Sequence, residues 1–405
     1  MDFKNYLVPG KTGLLIGIGG VSMSPLAEVL HDAGLDIRGS DMAESSNTLT
    51  LRERGIPIHI GHSADNVTDD ISFVIRTAAV HDDNPEVHEA HRRGIPVFER
   101  TQAWGALMRG YQNALCISGT HGKTTTTSMC THIMMAAEKD PTVMIGGTLP
   151  LLKACHRVGK GNTIIMESCE YYNSFLALNP TIAVVLNIEA DHLDFFKDLE
   201  DIKHSFRCFA ERVPAETGTV IANYDDANTM DALRGIARKV ITFGLNAKAD
   251  VYAQNIVHRG SVSEFDIYHR GNYFARVTLH VPGIHNVRNA LAATAAAIVL
   301  GVSPNAVKYG LAGFEGAGRR FDFKGKFQGA DLYDDYAHHP SELRALLDAV
   351  DTLNYQRTIV VFQPHTYSRT AKLFNDFVEQ LRRPTIVYLA EIYAAREKNT
   401  IGISS

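Results

Sequence analysis

The amino-acid sequence predicts an α/β protein built as three consecutive α/β domains, over residues 1–112, 113–315 and 316–405. Three observations carry that reading. Strand-like apolar runs alternate with helix-like amphipathic runs along nearly the whole chain, the pattern of a parallel sheet covered by helices. Two glycine turns, GIGGVSMS at 17–24 and GTHGKTTTT at 119–127, each join a strand to a helix, where open parallel sheets bind ligands. At 405 residues the chain also exceeds what one hydrophobic core supports.

The first domain opens with a buried strand over 13–18, a helix over 24–32 and a second strand over 36–40. Later strands are expected over 72–80 and 96–99, with a polar helix over 86–93 between them. The first turn nearly matches the dinucleotide fingerprint GxGxxG: Gly17 and Gly19 are in place, Gly20 follows, and Ser22 fills the third position. Asp41 ends the second strand, where an acid binds a ribose hydroxyl. The motif by itself leaves three ligands or roles open: NAD, another nucleotide diphosphate, or a plain tight turn.

The central domain starts with an apolar strand over 114–117, then Gly119, Thr120, His121, Gly122, Lys123, Thr124 and Thr125, then a helix over 124–137. Glycines turn backbone N–H groups toward phosphates, and a helix N-terminus adds partial positive charge. Lys123 then reaches the terminal phosphates, and the Thr124 hydroxyl holds Mg²⁺. One departure is that the general GxxxxGK[ST] spacing asks for glycine where Ile117 stands. Strands over 163–166 and 181–188 run into ESCEYYNSF and NIEADHLD, so Glu167, Glu170 and His192 fall at the carboxyl ends of strands. Glu170 and His192 are therefore candidate metal ligands beside Thr124, and with Lys123 candidate catalytic groups. A helix over 198–213 and β-hairpin material over 251–281 follow. The helix starting in GIHNVRNALAA carries Asn286 and Asn289 one turn apart, placed either to read an adenine edge or to cap the helix.

In the third domain, LYDDYAHHP ends a strand and opens a helix at Ser341, with further strands over 358–362 and 385–389 and a helix over 371–383. Three strands are fewer than a doubly wound domain carries, so this domain is expected to be partial.

Composition excludes several function classes. Hydrophobic residues make 45% and charged residues 21%, the balance of a soluble globular protein. The net charge of −5 gives no general attraction to nucleic acid or anionic membrane, so a phosphate-bearing ligand has to meet local cations. The most apolar tract, 291–300, is ten alanine-rich residues and too short to cross a bilayer. The N-terminus lacks the apolar core of a signal peptide. Cys116, Cys130, Cys155, Cys169 and Cys208 form no CxxC pair, which predicts reduced thiols in a cytoplasmic protein.

Nine motifs in order, GIGGVSMSPLA, GTHGKTTTT, ESCEYYNSFL, NIEADHLD, GIHNVRNALAA, GRRFDFKG, DDYAHHPSEL, FQPHTYSRT and EIYAAREK, resemble the Mur ligase family, and its alanine-adding branch in particular. They cover residues 13 to about 403. The resemblance implies an ATP-dependent amide-bond-forming enzyme of bacterial cell-wall synthesis with a Rossmann-like UDP-binding domain, a central P-loop ATPase-type domain and a Rossmann-like third domain. Lys123 would bind ATP phosphates, Thr124 and Glu170 one Mg²⁺, and His192 a second. Asn286 and Asn289 would flank the adenine, Arg320 would contact a phosphate and Asp335 the ribose. Gly17, Gly19, Gly20, Ser22 and Asp41 would then serve UDP-N-acetylmuramate, not NAD, and His338, His339, His365 and Arg369 would place L-alanine. Thr366 stands where the family often has arginine, which leaves the carboxylate contact to Arg369. The family pattern continues past residue 405, again implying a partial third domain. The alternatives are the branch that reattaches murein tripeptide to the same sugar nucleotide, and a nucleotide-binding homologue without ligase activity. A monomer or homodimer is expected.

Overall fold

The structure, a computed structural model, describes residues 2–77, 79–395 and 397–405. Residue 78 of the strand expected over 72–80 and residue 396 of EIYAAREK lie outside the described residues. Strands β1 (Thr12–Ile16), β2 (Asp36–Asp41), β3 (Ile58–Ile60), β4 (Ile71–Arg76) and β5 (Val97–Glu99) form a parallel sheet in the order β3-β2-β1-β4-β5. The order reverses between β1 and β4, so the crevice at their carboxyl ends opens beside Gly17. The first strand stops at Ile16 because Gly17, at φ 78°, turns the chain in a conformation that costs glycine nothing.

The second sheet has ten strands: β6 (Asn113–Ser118), β7 (Thr142–Leu149), β8 (Ala154–Arg157), β9 (Thr163–Glu167), β10 (Ile182–Val185), β11 (Thr219–Asn223), β12 (Lys239–Gly244), β13 (Val251–Arg259), β14 (Val262–His269) and β15 (Asn272–Leu279). Their order is β15-β14-β13-β12-β11-β10-β6-β9-β7-β8. The strand before the phosphate loop, β6, lies between β10 and β9 and runs parallel to both. Three neighbouring strands therefore deliver GTHGKTTTT, ESCE and NIEADH to one edge. The segment expected as a hairpin is a three-stranded antiparallel meander, β13 to β15.

Helices Lys123–Ala136 and Ile284–Val299 pack together over this sheet. The alanine-rich tract of the second helix is buried, and its small side chains permit that close approach. No helix among the described residues is long and apolar enough to cross a membrane.

The third region differs from the single sheet expected. The strand ending LYDD, β17 (Ala330–Asp334), pairs antiparallel with β16 (Asp322–Phe327), while β18 (Ile359–Phe362) and β19 (Ile386–Leu389) form a separate parallel pair. Gln328 and Gly329 explain the hairpin: successive positive φ values of 49° and 86° suit a tight turn between twisted strands.

Candidate active site

The phosphate loop is built by glycine conformation and by one asparagine. Gly122, at φ 83°, is the residue before helix Lys123–Ala136, so backbone N–H groups face outward from the helix start. Asn187, just beyond β10, accepts from the His121 N–H (2.8 Å) and donates to the His121 carbonyl (3.0 Å). Its own carbonyl accepts from Thr120 N–H (3.0 Å), and Glu189 N–H donates to the Thr120 hydroxyl (2.9 Å).

Lys123, Glu170 and His192 converge. The Lys123 ammonium stands 3.0 Å from Glu170 Oε2 and donates to the carbonyls of Gly119 and Thr120. Burial opposes its charge, but Glu170 outweighs that and holds its pKa above the ordinary lysine value. Glu170 is only 3% exposed, and His192 Nε2 lies 3.9 Å from its other oxygen. His192 stacks on Tyr171, with ring centroids 4.4 Å apart, and sits at φ 51°, a conformation uncommon outside glycine. Burial lowers its pKa, which favours the neutral imidazole that a metal needs. Thr124 is held by a different acid: its hydroxyl donates to Glu167 Oε1 (3.1 Å), whose second oxygen accepts Gly146 N–H (2.7 Å).

Beyond the loop lies a cleft of about 340 Å³. Asn286, Asn289, Arg320 and Asp335 line it, as do His285 and Phe314. Asn286 donates to the Pro282 carbonyl and its amide oxygen accepts from Asn289, so it does not cap the helix, whose N-cap is Gly283; Asn289 lies against Gly122. Asp335 accepts from Phe321 and Ala337 N–H (2.7 Å each) and so shapes the loop that carries Arg320. The Arg320 guanidinium lies 5.2 Å from the centre of the Tyr336 ring.

A smaller cavity of about 140 Å³ opens where the third region meets the second, lined by Tyr171, His192, His365, Thr366 and Arg369 among others. Arg369 donates through Nε (3.1 Å) and Nη2 (2.8 Å) to Asp191 Oδ1, and its Nη1 lies 3.2 Å from His365 Nδ1. Thr366, at φ 68°, adopts a backbone strained for a β-branched residue, pinned by its N–H to the Tyr393 carbonyl (2.9 Å). His338 joins this group, its ring 5.9 Å from that of His365. Its neighbour does not: the His339 ring packs 4.9 Å from that of His121, at the phosphate loop. The two histidines expected to place alanine thus have different ring neighbours, His365 for His338 and His121 for His339.

In the first domain, Asp41 accepts the Gly19 N–H (2.8 Å) and fixes the glycine turn, and Asn47 donates to the Gly19 carbonyl (2.8 Å). Ser22 offers its carbonyl to the Trp104 indole N–H (3.3 Å), while Gly20 N–H closes the turn onto the Gly17 carbonyl (3.1 Å).

Residues 15–112, 117–297 and 319–400 match, in turn, the profiles described as Mur ligase family, catalytic domain; Mur ligase middle domain; and Mur ligase, glutamate ligase domain. The chain is 47% identical over 391 residues to the UDP-N-acetylmuramate–L-alanine ligase of Agathobacter rectalis, covering 96% of this chain and 85% of that protein. The chain belongs to the Mur ligase family. A solved UDP-N-acetylmuramate–alanine ligase from Thermotoga maritima is 31% identical and superposes with a TM-score of 0.78, over 94% of this chain and 85% of that one. A UDP-N-acetylmuramate:L-alanyl-γ-D-glutamyl-meso-diaminopimelate ligase from Neisseria meningitides is less similar, at 26% identity and a TM-score of 0.68, over 76% of this chain and 99% of that one. Mur ligases are ATP-dependent, and the loop-and-cleft geometry suits that chemistry.

Several groups at this Mur ligase site were not singled out by sequence reasoning: Glu167 on Thr124, Asn187 on the loop, Asp191 on Arg369, and the pair Glu189 and Glu342. Most lay inside motifs that had been noticed without a role for them. Glu342 is the long-range member: its Oε1 lies 3.1 Å from His121 Nδ1, and its Oε2 accepts the N–H groups of His338 (2.9 Å) and His339 (3.2 Å). Burial opposes protonation of His121, but Glu189 and Glu342 outweigh it and raise the pKa from 6.5 to about 9. A pKa raised on folding stabilises most below the unfolded value and loses that contribution as pH rises through the folded value. Thermal stability is therefore expected to fall between pH 6.5 and 9. In Glu342→Gln the unfolding midpoint should be lower and flatter over that range. A wild-type midpoint that stays level from pH 6.5 to 9 would count against the network.

Proposed function

We propose that the chain is an ATP-dependent ligase that joins L-alanine to the carboxylate of UDP-N-acetylmuramate through an acyl phosphate, a step of peptidoglycan synthesis. The observation that carries this reading is the convergence of Lys123, Glu170 and His192 beside a helix-capped phosphate loop. Residues 1–112 would present the sugar nucleotide through Gly17, Gly19, Gly20, Ser22 and Asp41. Residues 113–315 would hold ATP, with Arg320 and Asp335 completing the cleft from residues 316–405. His338, His365 and Arg369 would position alanine in the smaller cavity. The same reading has the enzyme act in the cytoplasm.

In the first half-reaction a carboxylate oxygen attacks the γ-phosphorus and ADP leaves. The amine of alanine then attacks the acyl carbon, loses a proton, and inorganic phosphate departs with the C–O electron pair. Such transfer depends on position and charge neutralisation, and the half-buried Lys123 ammonium is fixed to supply both. The oxygen donors of Thr124, Glu167 and Glu170, with His192 alongside, fit a magnesium ion, since hard cations prefer oxygen and the buried Glu170 carboxylate needs positive partners. When bound, magnesium would neutralise charge on the phosphates. Closure of the third region over the cleft would keep water from the acyl phosphate.

Acceptor choice tests the reading. Phosphate release is expected with ATP, UDP-N-acetylmuramate and L-alanine together. Release with L-alanyl-γ-D-glutamyl-meso-diaminopimelate and none with alanine would overturn it.

A further inference from the structure

The phosphate loop also carries a second set of donors, of softer chemistry than the oxygen cluster around Glu170. His121 Nε2 stands 3.4 Å from Glu189 Oε2, and His339 Nδ1 stands 3.9 Å from the same oxygen. One donor atom from each of the three residues lies within 4.8 Å of the other two. They come from three separate stretches: the turn after β6, the loop after β10, and the residue before helix Pro340–Asp351. A tetrahedral ion with bonds of about 2.0–2.1 Å has donor–donor edges of roughly 3.3–3.4 Å. The first spacing already matches such an edge, and the second closes by about half an ångström.

Hydrogen bonding points the same way. Nε2 of His121, the atom 3.4 Å from Glu189, is buried with no hydrogen-bond partner. Glu342 at 3.1 Å from His121 Nδ1 accepts that nitrogen's N–H and orients the ring, as carboxylates orient metal-binding histidines, and an ion binds at Nε2 by displacing the proton the imidazolium carries there. His339 Nδ1 accepts only a long bond, 3.3 Å, from Ser341 N–H, and the Ser341 hydroxyl donates to Glu189. An ion could displace the first of these and share the second.

We propose that His121, Glu189 and His339 form a site for a zinc-class divalent cation, distinct from the oxygen-donor site at Thr124, Glu167 and Glu170. Two imidazoles and one carboxylate favour zinc or cobalt over magnesium. The ion ties the phosphate loop to the start of helix Pro340–Asp351, so it holds the third region against the nucleotide cleft.

The test is a cobalt(II) titration of the nucleotide-free full chain in magnesium-free buffer, read by visible absorption. One equivalent per chain is expected to give the bands of a tetrahedral site, and zinc should displace it and raise the thermal midpoint. Glu189→Gln and His339→Gln should each weaken binding about ten-fold or more. His192→Gln should leave the bands unchanged. Circular dichroism establishes that each variant is folded; if neither ligand variant folds, the wild-type titration and His192→Gln decide. No tetrahedral band in the wild type, undiminished binding in both ligand variants, or loss of the bands in His192→Gln would overturn the proposal.

Discussion

Lys123→Ala is expected to lower kcat/KM by roughly 10³-fold or more, the scale on which single cations act in phosphoryl transfer. The ammonium is placed by four oxygens on two segments: the carbonyls of Gly119 and Thr120 and both oxygens of Glu170. Removing it takes away the positive charge closest to Glu170 and leaves that buried acid with His192 at 3.9 Å. Part of the cost will appear as lost stability, because a buried charge without its partner is penalised by about 3–5 kcal/mol unless it takes up a proton. The two effects separate experimentally. Binding of UDP-N-acetylmuramate, which the proposed function assigns to the first domain, should survive in the variant, while ATP-dependent phosphate release should not. Wild-type turnover by Lys123→Ala would mean that the loop does not grip the triphosphate.

How much of this site could be read from the chain depends on how local its causes are. GTHGKTTTT declares itself because each residue acts through its own backbone conformation or side chain at the start of one helix, so strand, turn and helix were all legible. The strand Thr142–Leu149 was not expected, since Gly146 and Gly147 in its middle are poor strand formers. Their reason is tertiary: a Cβ at Gly146 would stand 2.5 Å from Glu167 Oε1, so the glycine makes room for the carboxylate that holds Thr124. Glu342 could not have been matched to His121 by spacing, because 221 residues separate them. A helix opening at Ser341 was expected; it spans Pro340–Asp351, and Glu342 bonds back to the His339 N–H as a capping residue. Its other oxygen, however, reaches the phosphate loop. One side chain thus answers a local rule and a remote partner, and the chain's order reveals only the first.

Asp41 shows the converse limit. Its position at the end of β2 suggested a ribose contact, and the carboxylate does face the glycine turn, where it accepts the Gly19 N–H. Shaping the turn and meeting a ligand are compatible for an acid with two oxygens, but spacing alone distinguishes neither. The third region was legible as α/β and not in its pairing. Strand-like composition says nothing about which neighbour a strand joins, and the Gln328–Gly329 turn sent β17 to β16.

Arg369→Ala is expected to loosen the third region from the second, with an effect nearly as large as that of Lys123→Ala. Arg369 and Asp191 are 10% and 8% exposed, and two guanidinium nitrogens meet one carboxylate oxygen. Burial opposes the charge on Asp191, but His192 and Arg369 outweigh it and hold its pKa well below the usual carboxylate range. Truncating the arginine leaves that charge stranded, at a cost of about 3–5 kcal/mol. The loss should be local, so amide hydrogen exchange around residues 365–373 should quicken by roughly 10²- to 10³-fold while the central sheet is unaffected. KM for alanine should rise as well, because the guanidinium lines the smaller cavity. Removing both charges at once distinguishes a stranded-charge penalty from simple lost packing. Asp191→Asn with Arg369→Met should cost clearly less than the sum of the two single changes, since neither partner then remains charged. Strict additivity would show that the two residues act independently, and the contact could no longer be taken as the joint between the third region and the second.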